Sequence, residues 1–91
     1  MLLCSDVLNQ DGDVPAVSED SVVEAMHAQL LAYRTMPFDY YLPYTSRTSA
    51  QIERLAQLQP ELCATMHGSS FRGDGTAELR AMDAMLAETA V

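Results

Sequence analysis

The sequence predicts a small α/β fold, one domain over residues 1–91, in the order strand, helix, helix, strand, helix. Three observations predict it. Two short apolar runs, "MLLCSDVL" at 1–8 and "LCATM" at 62–66, have the length of strands buried on both faces. Between and after them, apolar residues recur at helical spacing. A helical connection between two strands of one sheet implies in turn that those strands run parallel.

The first run is broken only by Ser5 and Asp6 and gives way to turn material, "NQDGDVP", with Gly12 flanked by Asp11 and Asp13 and Pro15 closing it. Ser18 then offers an N-cap, and Glu19 and Asp20 suit the positive end of a helix dipole. Val22, Val23, Met26, Leu30 and Tyr33 follow at helical spacing, which predicts a helix over 18–34 that stops before Pro37. A second helix is predicted from Thr48, where Thr48 and Gln51 form a capping-box pattern and Ile52, Leu55 and Leu58 line one face up to Pro60. After the second strand, "HGSSFRGDG" reads as a glycine-rich turn, and Asp74 caps a last helix with Leu79, Met82, Met85 and Leu86 on its apolar side. Two strands do not make a stable sheet alone, so the sheet is expected to be incomplete and to need a partner.

Asp and Glu outnumber Lys and Arg by 13 to 5, a formal charge of −8 that repels a phosphate backbone and argues against nucleic acid as a partner. "MLLCSD" has no basic region and too few apolar residues for an export signal or a membrane span. The two cysteines, Cys4 and Cys63, each lie in an apolar run, where a thiol behaves as a small hydrophobe. A reducing, cytoplasmic setting without a disulfide is the expectation.

Asp6 ends the first predicted strand and His67 the second. In open parallel sheets such carboxyl ends converge on one rim, where ligands bind. Carboxylate and imidazole are both competent ligands for zinc or iron, although a closed site needs three or four per metal and this chain offers two in place. The plain alternative is that both are satisfied by loop backbone.

The phrases "LLCSDVL" and "PELCATMHGSSFRGDG" resemble the C-terminal part of a metallo-β-lactamase-fold protein, most of all the branch of the di-iron oxygen-binding and flavodiiron proteins. The resemblance covers Met1 to about Glu88. It implies a partial αββα half with an incomplete sheet, in which Asp6 matches the bridging aspartate and His67 the final histidine of a binuclear iron or zinc centre. Activity in the complete domain would be that of a metallo-hydrolase or a di-iron oxidoreductase. The family's His-x-His-x-Asp-His motif is absent, since His27 and His67 are the only histidines. The chain alone is therefore expected to be inactive and to hold no metal stably, with the missing N-terminal half or another copy as its partner.

Lesser signals complete the reading. The glycines of "GSSFRGDG" and the helix start after them offer backbone N–H groups to an anion, with Ser69 and Arg72 as candidate contacts, although the Gly-Lys-Ser/Thr ending of a phosphate loop is missing. His27 reads as a solvated or partly packed helical side chain. The loop "MPFDYYLPYTSR" gathers Phe38, Tyr40, Tyr41 and Tyr44, which suits either a partner surface or packing on the helices. The alternative function is thus a small acidic, non-catalytic interaction module that dimerises through residues 37–44.

Overall fold

Apolar runs, turn residues and helix caps translate into seven elements in the computed structural model, which describes residues 1–5, 7, 8, 10, 14–33, 45 and 47–89. In chain order they are β1 (Leu2–Ser5), β2 (Val17–Ser18), α1 (Val23–Tyr33), α2 (Thr48–Ala56), β3 (Leu62–Thr65), β4 (Ser70–Arg72) and α3 (Gly75–Thr89). The strands form one mixed sheet in the order β1-β3-β4-β2. The two apolar runs pair in parallel as expected, with Leu2 opposite Cys63 and Leu3 opposite Ala64.

Four features differ from the sequence expectation. The stretch Ser70–Arg72, read as a turn, is β4 and forms an antiparallel hairpin with β3, Cys63 opposite Phe71. Its alternation is real but only three residues long: Ser70 half-buried, Phe71 buried, Arg72 exposed. The turn before it rests on Gly68, whose φ of +88° is the left-handed region, and where an added Cβ would stand 2.3 Å from the Gln10 carbonyl oxygen.

Ser18 is part of β2, paired with Phe71, and α1 begins at Val23. The Ser18 hydroxyl closes a local turn, accepting the Asp20 N–H at 3.1 Å. The start of α1 is capped from elsewhere in the chain: the Glu78 carboxylate accepts the Val22 N–H and the Ser21 hydroxyl, each at 2.7 Å.

In α2 the N-cap position is Arg47, with no side-chain cap. Thr48 Oγ1 accepts the Thr45 N–H at 2.8 Å, so the capping box is not formed. The helix ends at Ala56, ahead of Pro60, which leaves Leu58 outside it and exposed while Ile52 and Ala56 are buried.

β1 is an edge strand, not one buried on both faces. Cys4 faces the helices, whereas Leu3 is 75% exposed. The rest of the apolar run is a turn, closed by a Val7 N–H bond to the Cys4 carbonyl at 2.9 Å. Leu8 stands there at φ 66°, an unfavourable region for a branched residue, and is held by complete burial of its side chain.

The core lies between one sheet face and the helical layer. Cys4, Cys63 and Phe71 from the strands meet Val23 and Met26 of α1, Ile52 and Ala56 of α2, and Leu79, Met82, Met85 and Leu86 of α3. The last four are the predicted apolar side of the final helix, and Asp74 Oδ1 caps it as expected by accepting the Ala77 N–H at 3.0 Å. α3 packs on both α1 and α2. On the solvent side Arg80 pairs with Glu53 at 2.7 Å, and its hydrogen bonds hold the Glu53 carboxyl below the usual carboxylate range.

Candidate functional site: the His67 rim and the bare sheet face

Because β1 and β3 run parallel, their carboxyl ends, Ser5 and Thr65, lie side by side on one rim. His67 is two residues beyond Thr65 and exposed. Its carbonyl oxygen accepts the Gln10 N–H and the Thr65 hydroxyl, both at 3.2 Å. Asp6 lies outside the described residues, as do Phe38, Tyr40, Tyr41 and Tyr44, so of the two expected metal ligands only His67 has a described position. His27 is half-buried within α1.

Among the described residues no three side chains of His, Cys, Asp or Glu come together to hold a metal ion. This donor set does not fit a binuclear centre.

Gln10 was hidden in the turn-like "NQDGDVP". It is buried, and its amide acts as a piece of backbone: Nε2 donates to the Leu8 carbonyl at 2.8 Å and the Ser69 carbonyl at 2.9 Å, while Oε1 accepts the Ser69 N–H at 2.7 Å. A glutamine in a polar turn gives no sign in sequence that it will be buried. The Ser69 hydroxyl donates to the Pro15 carbonyl, so its N–H and O–H are both engaged inside the fold. Arg72 projects from the opposite side of β4 and is exposed. The structure does not bring these two candidate anion contacts together.

No protein-family model, curated protein or solved structure matches the chain. Function has to be argued from the chain's own surfaces.

Two shallow grooves, of about 280 and 250 Å³, share Gln59, Pro60 and Glu61. They lie where β1 and β3 begin, the rim opposite His67. The larger surface is the second face of the sheet. With the helices packed on the Cys4, Cys63 and Phe71 side, the outward strand positions are Leu3, Leu62, Ala64, Ser70, Arg72 and Val17. On the β1–β3 half Leu3 lies beside Ala64, flanked along the strands by Met1, 79% exposed, and Met66, 64% exposed. Among the described residues Arg72 is the single charge at an outward strand position. No described helix is long and apolar enough to cross a membrane.

Proposed function

We propose that the protein is a small non-catalytic association module that pairs with a second copy of itself through the bare face of its sheet. The observation that carries this is the apolar strip of Met1, Leu3 and Met66 beside Ala64 on a parallel strand pair covered by helices on one side only. Parallel pairs are normally covered on both faces, and an exposed apolar patch rimmed by polar residues marks an interaction surface.

The charge distribution favours a second copy as the occupant. The chain carries −8, so two copies repel unless the contact itself is nearly uncharged. Two sheets pack about 10 Å apart, which sets the acidic helical layers on the far sides, beyond the Debye length of roughly 8 Å at physiological salt. Self-pairing about a two-fold axis needs only one such face per chain.

Leu3→Asp tests this. Leu3 is exposed in the single chain, so the variant should keep its circular dichroism spectrum while sedimentation shows association weakened by roughly 10-fold or more. A wild-type chain that remains monomeric at its solubility limit would overturn the reading. The aromatic segment 37–44, expected from sequence as the contact, lies outside the described residues.

One observation favours a second reading. Helices on a single face of a sheet whose parallel strands end on a common rim is the arrangement of half an αββα sandwich. Under this reading the chain is the C-terminal portion of a cytoplasmic metallo-β-lactamase-fold protein, a hydrolase or oxidoreductase. Asp6 and His67 then contribute to an iron or zinc centre that the N-terminal half completes, and the bare face lies against that half. In such a complete domain, His67→Ala should lower metal content by elemental analysis while the fold persists. Unchanged metal stoichiometry would remove this reading.

A further inference from the structure

We propose that Cys4 and Cys63 are a redox pair that closes to a reversible intramolecular disulfide, tying the edge strand β1 to β3, with a low-molecular-weight disulfide as oxidant. Cys4 and Cys63 lie on neighbouring parallel strands, and both face the helices, 7% and 0% exposed. Cys63 pairs with Leu2, and the ladder shifts register between Leu3 and Ser5, which sets Cys4 diagonally across from Cys63. Disulfides form between residues whose Cα atoms are roughly 4.4–6.8 Å apart, the spacing of close cross-strand neighbours.

The thiols also interact. A hydrogen bond from Cys4 holds Cys63 below the ordinary thiol range, and the same contact, reinforced by burial, pushes Cys4 up. Cys4 Sγ lies 3.7 Å from the Leu2 carbonyl oxygen as well, a weak contact that loses its proton to the stronger acceptor once Cys63 is a thiolate. Cys63 is thereby the attacking sulfur and Cys4 the resolving one.

The steps balance. The Cys63 thiolate attacks one sulfur of the oxidant, whose S–S bond breaks, and one half leaves as thiolate with the bonding pair. That thiolate takes the Cys4 proton. Cys4 sulfur then attacks Cys63 sulfur and expels the second half, which leaves as thiolate and takes a proton from water in place of the one Cys63 had given up. Two protein thiols are oxidised by two electrons and the oxidant is reduced to two thiols. Access comes from β1 itself, which is paired on one side only and has Leu3 turned to solvent. Both sulfurs lie on the helix side of the sheet, so this inference does not depend on what covers the bare face.

The test is to equilibrate the whole chain in glutathione buffers of rising oxidised fraction, quench in acid, alkylate in denaturant and measure intact mass. The expected product has lost two hydrogens, takes no alkyl group, and reverts with dithiothreitol. It should melt higher than the reduced form by more than about 5 °C, since the bond closes a long loop in the unfolded chain. Cys4→Ser should stop at a glutathione adduct on Cys63 and show no such rise. Two fully alkylated cysteines at every ratio, or a glutathione adduct as the wild-type end product, would overturn the proposal, and both are read on the wild-type chain whether or not the variant folds.

Discussion

Leu79→Ala is expected to lower the unfolding free energy by about 3 kcal/mol, because Leu→Ala at a packed core site loses the transfer energy of the side chain and leaves a cavity behind. Leu79 is fully buried in α3, the helix that packs on both others. Its neighbours on that face, Met82 and Leu86, belong to the same helix and cannot collapse independently into the space. A domain of this length has roughly 5–14 kcal/mol in total, so the variant loses a large share of its stability and melts roughly 12–24 °C lower. Urea unfolding followed by circular dichroism should show a lower midpoint at unchanged slope. Leu58→Ala is the internal control, because Leu58 is exposed beyond the end of α2 and its loss should fall within about 0.5 kcal/mol of wild type. Equal effects at the two positions would mean that α3 is not the centre of the core.

Glu78→Ala should cost about 2–4 kcal/mol for a different reason. The buried carboxylate accepts the Val22 N–H and the Ser21 hydroxyl at the start of α1, and removing it leaves the N–H without its partner in a dry site. It also removes a negative charge from the positive end of that helix. Glu78→Gln keeps one carbonyl acceptor and should recover roughly half of the loss. Hydrogen exchange locates the damage: amides of α1 should lose protection first, while those of the β3–β4 hairpin keep theirs. Uniform loss across the chain, or an alanine variant as stable as wild type, would contradict this role.

Local rules explain which parts of the fold were legible in sequence. The spacing of Leu79, Met82, Met85 and Leu86 and the cap at Asp74 concern one helix and its own first turn, and both are present. Ser18 misled because its competitor for the helix start, Glu78, is 56 residues from Val22 in the chain and no local pattern announces it. The first apolar run misled in another way: Leu3 and Cys4 are both apolar, so the alternation that puts one in solvent and one in the core is invisible until the sheet neighbours are known. β4 was too short for its alternation to stand out between glycines. For the candidate site, a strand end near His67 was readable from the run before it and the glycine after it. The bare face was not, since it is a property of the assembled sheet rather than of any one strand.

The strand order carries a consequence for how the chain folds. Both central strands, β3 and β4, come from residues 62–72, and both outer strands, β1 and β2, from the first 18. The hairpin can form early from neighbours in sequence, but each of its flanks is closed only by segments more than 50 residues upstream. On the ribosome, at roughly 5–20 residues per second, the amino-terminal strands wait several seconds for the only edges they can pair with. During that wait the "MLLC" segment is a solvent-facing apolar strand without a sheet, the stage at which the nascent chain most needs a chaperone's cover.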